Sequence, residues 1–171
     1  LTNSLVVTKA AQTITFPPVG TQIITNTLTL SATASSGLAV TFEKISGPAT
    51  LVDATMTFSA TGEVVVAARQ TGDALWEAAP SFTNTFNVVA QSAQINLSGL
   101  SKTYTGSAQG ATVTTVPTGL TCSVTYDGVT NLPVNAGDYS VAAVITDPAY
   151  AGSTTGLLSI ALAAQAITAF T

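Results

Sequence analysis

A phrase written twice constrains this chain more than any other feature. The stretch GEVVVAARQTGDALWEAAP, from Gly62 to Pro80, returns 75 positions later as GDYSVAAVITDPAYAGS, from Gly137 to Ser153. Gly62, Val66, Ala67 and Ala68 match Gly137, Val141, Ala142 and Ala143 at that offset, while Gly37-Leu38 matches Gly119-Leu120 at an offset of 82. The order holds while the spacing shifts, as it does when small insertions separate two copies of one structural unit. A second phrase, AQ followed by an apolar run, occurs as KAAQTITF (Lys9 to Phe16), QSAQINL (Gln91 to Leu97) and LAAQAITAF (Leu162 to Phe170). Together these phrases divide the 171 residues into four parts. Residues 1–8 read as the closing strand of a preceding repeat, 9–90 as one repeat, 91–163 as a second, and 164–171 as the opening strand of a following one. The chain is therefore expected to be a piece of a longer repeat protein. Its ends are expected to pair with neighbouring repeats of the same chain or, by strand addition, with other copies of itself.

The period of the apolar residues says what each repeat is made of. TLTLSATA (Thr27 to Ala34), LAVTFEKI (Leu38 to Ile45), ATMTFSA (Ala54 to Ala60), EVVVAAR (Glu63 to Arg69) and SFTNTFNVV (Ser81 to Val89) are short runs rich in Thr and β-branched residues. Several alternate apolar with polar, the pattern of half-buried strands. Between them stand Pro17-Pro18, Ser36-Gly37, Ser46-Gly47-Pro48, Thr61-Gly62 and Thr71-Gly72-Asp73. Glycine accepts positive φ and proline fixes φ near −65°, so these are turns. No run has the length and period of a helix. The fold class expected is all-β: two tandem Ig-like antiparallel β-sandwiches, the second spanning 91–163.

Composition removes several functions. Charged residues are 7% of the chain, and the four basic ones (Lys9, Lys44, Arg69 and Lys102) are scattered, so no surface for a phosphate backbone is expected and nucleic acid is set aside. The most apolar stretch, Gly156 to Ile167, is interrupted by Ser159 and Gln165 and falls short of the roughly 20 residues of a membrane span. There is no histidine, which rules out a Ser-His-Asp or Cys-His relay and removes the commonest nitrogen ligand of zinc. The acids are spread over both repeats and sit mostly at turns (Asp73, Asp127, Asp138, Asp147), where aspartate bonds its own backbone. Calcium at the domain junction is disfavoured for want of clustered oxygen ligands. Lys44 beside Glu43, and Lys102 near Tyr104, raise a lysine–asparagine isopeptide crosslink, but a solvated lysine is the expectation for each. Cys122, the one cysteine, is expected to be a small buried hydrophobe. Asn96-Leu97-Ser98 fits a glycosylation pattern, a short match that carries little weight by itself. No catalytic, cofactor or metal residue is assigned, and no cofactor is expected.

The phrases themselves resemble a known family, the tandem bacterial Ig-like modules grouped as MBG domains. KAAQTITF, TLSATASSGLAVTFEKISGPATL and the phrase from Gly72 to Pro80 carry the resemblance in the first repeat. KTYTG (Lys102 to Gly106), GLTCSVTYDG (Gly119 to Gly128), NAGDYSV (Asn135 to Val141) and DPAYAGS (Asp147 to Ser153) carry it in the second. The resemblance implies sandwich repeats in a long secreted or cell-surface bacterial protein, with shared residues that are structural and not chemical.

In each repeat a glycine turn leads into a buried strand, and the loop after it delivers one aromatic residue, Trp76 or Tyr150. The ring is expected to close the end of the core, with Ala67-Ala68 and Ala142-Ala143 leaving it room. An exposed sugar-stacking Trp76 is the alternative. Three classes of function follow. The expectation is a non-catalytic structural module, a stalk or fibre segment of an extracellular, adhesin-like protein. A carbohydrate- or ligand-binding accessory module of a secreted enzyme is the alternative, and for an enzyme no residues are found.

Overall fold

The computed structural model describes residues 7–164, and among them no helix forms. The chain folds as two compact units, Leu1–Gln91 and Ser92–Thr171. The strands expected at 1–8 and 164–171 lie outside the described residues except for Val7, Thr8 and Ala164, which are not in strands.

The first unit contains β1 (Ile14–Thr15), β2 (Gln22–Ile23), β3 (Thr27–Thr29), β4 (Thr33–Ala34), β5 (Thr41–Ser46), β6 (Ala49–Val52), β7 (Thr55–Phe58), β8 (Gly62–Arg69) and β9 (Phe82–Val89). One layer has the order β2-β9-β8-β5; the other is built from β3-β7-β6 and the β1-β4 pair. All pairings are antiparallel except β2 with β9, which run parallel. The first strand thus begins in one sheet and finishes in the other, an Ig-like arrangement. Pro17-Pro18 lies at the crossing, and the buried Asn84 amide donates to the Pro17 carbonyl at 2.7 Å, pinning the chain where proline supplies no N–H of its own.

Alternation decides which side chains fill the layer between the sheets. On β8, Val64, Val66 and Ala68 are fully buried; on β9, Phe86 and Val88 face the same core, with Met56 from β7 and Phe16 from the crossing. Phe58 meets Phe86 edge-on at 6.0 Å, a favoured geometry for paired rings. Each large apolar side chain so buried contributes roughly 1.5–3 kcal/mol.

Two expected strands are altered. Thr27 to Ala34 is not one strand. β3 pairs with β7 and β4 with β1, so the chain changes partners at Leu30 to Ala32, where the Leu30 N–H turns to the Ala54 carbonyl. The opening run Lys9 to Phe16 contributes only Ile14–Thr15 as strand, since its earlier residues bond to a loop instead of a sheet.

The second unit contains β10 (Gln91–Ser92), β11 (Gln94–Ser98), β12 (Ser101–Thr103), β13 (Thr112–Val116), β14 (Cys122–Tyr126), β15 (Gly137–Ile145), β16 (Tyr150–Ala151) and β17 (Ser153–Ala161). The larger sheet, β12-β17-β15-β14, repeats the first unit's order, including the parallel pairing of β12 with β17. The opposing layer is reduced to β11-β13. Where the first unit has β6 and β7, the second has the irregular segment 127–136. That segment is held from both sides. The Gln109 N–H donates to the Pro133 carbonyl, and the Tyr139 hydroxyl donates to the Asn135 carbonyl at 3.0 Å. A tyrosine at the start of this strand bonding back to the preceding backbone is the tyrosine corner of Ig-like sandwiches. Tyr126, 4% exposed, accepts the Ala111 N–H on its hydroxyl. Gly110 leaves room for it, since a Cβ there would lie 2.6 Å from both the Tyr126 hydroxyl and Leu132.

The AQ phrases are not structurally equivalent. Gln12, Ile14 and Phe16 face inward in the first unit, whereas Ala93 and Ile95 do so in the second and Gln94 is exposed. A shift of one residue carries a whole strand's side chains to the opposite face. The third copy, at Leu162 to Phe170, lies mostly outside the described residues.

Candidate functional site

The chemistry-bearing side chains are dispersed. Among the described residues no three of His, Cys, Asp or Glu converge as metal ligands do. The one ion pair there joins Arg69 on β8 to Glu43 on β5 across the sheet, both half in solvent. Asp73 accepts the Leu75 and Trp76 N–H groups at 2.8 Å each, Asp147 that of Ala149 and Asp127 that of Ser140. These carboxylates hold turns. Asp138 and Asn96 are exposed. Lys44 donates to the Gly47 carbonyl at 3.3 Å in an exposed turn, and Lys102 is half-buried on β12. Cys122 is half-buried against the second unit's core, with its sulfur 3.8 Å from the Leu120 carbonyl.

The two aromatic residues of the repeated phrase part company. Tyr150 packs against the cluster around Ala143 and Ile145. Trp76 does not close the first core; it is half-buried and outside the cluster. The room left by Ala68 is taken by other rings. Ala68 lies opposite Phe42 on one side and Phe82 on the other, and Phe16 packs on both at 5.4 and 6.5 Å. The sequence reading missed this cluster because its members, Phe16, Phe42 and Phe82, come from segments far apart in the chain.

Trp76 instead belongs to a polar clasp at one end of the first sandwich. Its backbone pairs with Ala10, whose N–H donates to Leu75 and whose carbonyl accepts from Glu77. Beside it Gln12 and Gln70 are buried, at 4% and 8% exposure. The Gln12 amide donates to the Gln70 side-chain oxygen and to the Glu77 carbonyl, and its own oxygen accepts the Ser36 hydroxyl. The Gln70 oxygen also takes the Gly72 N–H. Buried amides satisfied in this way fix one arrangement, because any slip leaves polar groups unpaired away from water. Three segments meet here: the entering chain, the loop after β4 and the loop after β8.

An open groove of about 770 Å³ runs between edge strands β5 and β6, lined by Phe42, Glu43, Lys44, Leu51 and Asp53. Its volume suits a small ligand, and its lining offers two carboxylates, an ammonium and an apolar floor.

Residues 93–164 match the family described as the MBG domain, so the second unit is similar to MBG-type modules. No curated protein matches the chain. Among solved structures, the Clostridium thermocellum CbhA fibronectin(III)-like modules are similar at 16% identity, over 87% of this chain and 94% of that one, with a TM-score of 0.32. PcdhgB3 EC1-4 is similar at 12% identity over 90% of this chain, with a TM-score of 0.31. Drosophila N-cadherin EC1-4 is similar at 11% identity over 89% of this chain, with a TM-score of 0.32. The chain spans about half the length of these last two, 50% and 51%. Among the described residues no helix is long and apolar enough to cross a membrane.

Proposed function

We propose that this chain, whose second unit is similar to MBG-type modules, is a non-catalytic structural segment: tandem Ig-like repeats forming part of a stalk or fibre in a bacterial extracellular, cell-surface protein of adhesin type. The observation that carries the reading is the duplication of a whole sandwich layer. The order β2-β9-β8-β5 recurs as β12-β17-β15-β14, so each unit is organised around a sheet of its own. Side chains shared by the two copies are packing and turn residues, such as Val66 with Val141 and Gly62 with Gly137. A surface poor in charge and rich in hydroxyls suits an extracellular polymer, since few Lys and Arg leave few sites for trypsin-like proteases. The partners proposed are neighbouring repeats or other copies, meeting end to end or by strand pairing.

Cells producing the full-length protein, treated with a membrane-impermeant label and then fractionated, test the location. The protein is expected to be labelled on intact cells; labelling only after lysis would refute the surface assignment. A second reading, a ligand-binding accessory module, draws on the groove between β5 and β6. Titration calorimetry with soluble oligosaccharides tests it. Saturable heat abolished by Phe42→Ala in a folded variant would favour binding over the structural role.

A further inference from the structure

The first and last strands of each unit's larger sheet run parallel, β2 beside β9 and β12 beside β17. When a chain is pulled by its ends, the entering strand is dragged backward and the leaving strand forward. Parallel neighbours then slide along their shared axis, and their hydrogen bonds are loaded together instead of one after another. Resistance therefore grows with the length of uninterrupted pairing on the entering strand.

The two units differ in that length. In the first, the entering chain is held in three separate short pieces. These are the single bridge of Ala10 with Trp76, two residue pairs between β1 and β4 extended by the Ser35 N–H to the Thr13 carbonyl, and two between β2 and β9 extended by the Ile24 N–H to the Val89 carbonyl. The second is also held in three pieces, of which two are longer: β10 pairs with β16, five consecutive pairs join β11 to β13, and three join β12 to β17. The Ser159 N–H to Leu100 and the Tyr104 N–H to Ala161, each 2.8 Å, extend the latter at both ends. Short isolated pieces fail in turn, whereas longer ladders share the load. The Gln12 clasp does not change the order, since it anchors the entering chain to the loops after β4 and β8 and not to a strand.

We propose that the two units form a mechanical series in which the first yields at lower tension than the second, giving length while its neighbour holds. The use of such a series rests on the structural-segment reading; the order of yielding does not, and is measured without it.

The test stretches the 171-residue chain between handles at its two ends and reads the length released at each step. Ala10 to Val89 is 80 residues and Gln91 to Ala161 is 71. At about 3.3–3.6 Å per residue these release roughly 260–290 Å and roughly 230–260 Å, less the span of each folded unit. The longer step is expected first, at the lower force. Ile24→Pro, which removes the N–H bonded to Val89, is expected to lower the force of the long step alone. Tyr104→Pro, which removes the N–H bonded to Ala161, is expected to lower that of the short step alone. A short step that comes first, or a single step releasing both units, overturns the proposal. The wild-type order decides it even where a proline variant does not fold. Labelling only in lysed cells would remove the surface reading and leave the order of yielding standing.

Discussion

Replacing Gln12 with alanine probes whether the clasp stabilises the first unit or only decorates it. The substitution deletes three side-chain hydrogen bonds and leaves the Glu77 carbonyl and the Ser36 hydroxyl without that partner, while the Gln70 oxygen keeps only the Gly72 N–H. Each hydrogen bond contributes about 0.5–1.5 kcal/mol net, and a buried partner left unsatisfied costs about 1–3 kcal/mol. Water can reach the rim of the clasp, because Ser35 and Trp76 are not buried, so the lower part of the range applies, about 2–3 kcal/mol. For a unit of this size each kcal/mol moves the melting temperature by about 4–8 °C, which predicts a fall of about 10–20 °C. The chain has one tryptophan, Trp76, inside the clasp, so its fluorescence on heating reports the first unit alone. Gln70→Ala and the double variant complete a cycle in which the pair should couple by about 1 kcal/mol or more. A shift in Gln12→Ala below about 3 °C, or additive single effects, would show that the buried amides do not act as one network.

Met56→Ala removes a fully buried side chain from the first core and Leu158→Ala one from the second. Each is expected to cost about 2–5 kcal/mol, and in calorimetry each should lower only its own unit's transition. Tyr139→Phe keeps the ring and deletes the bond to Asn135, for an expected loss of about 1 kcal/mol by urea titration. Gly110→Ala drives a methyl against Tyr126 and Leu132, with an expected cost of about 1–3 kcal/mol and a shift in Tyr126 near-ultraviolet dichroism. Arg69→Ala breaks the exposed pair with Glu43 and should change stability by no more than about 1 kcal/mol, measured in the same titration.

What the sequence showed and what it hid divide along a physical line. Local pattern exposes two strands: an unbroken run of β-branched and small apolar residues makes Glu63 to Arg69 visible as β8, and alternation makes Ser81 to Val89 visible as β9. The exchange of partners within Thr27 to Ala34 is set by β1 and β7, which touch different halves of it, and nothing in the eight residues records that. Nothing local to Gln12 or Gln70 marks either glutamine as buried. Their burial follows from a contact 58 positions apart. Trp76 was assigned to the core from its place in the repeated phrase, but a core's free volume belongs to whichever rings the fold brings closest. Phe16 and Phe42 take it, with the half-exposed Phe82 at their rim.

The shift in the repeat's spacing has a structural cause of its own. Gly37 and Gly62 are 25 positions apart, while their counterparts Gly119 and Gly137 are 18 apart. The stretch that shortens holds β6 and β7 in the first unit and the irregular segment 127–136 in the second. The frame slips where a two-strand hairpin is present in one copy and absent from the other. A sandwich that loses this hairpin loses the side chains that covered the inner face beside it, as Met56 does in the first unit. The second unit's replacements are the ones its own sequence adds in that region: Tyr126 and Tyr139, whose rings pack on the core around Val141 and Leu158 and whose hydroxyls tie down the neighbouring backbone. At the position matching Tyr139 the first unit has Val64, fully buried beneath a complete layer. Tyrosine is therefore found in the copy whose covering layer is irregular and must be held by side chains, and valine in the copy whose layer is held by strand pairing.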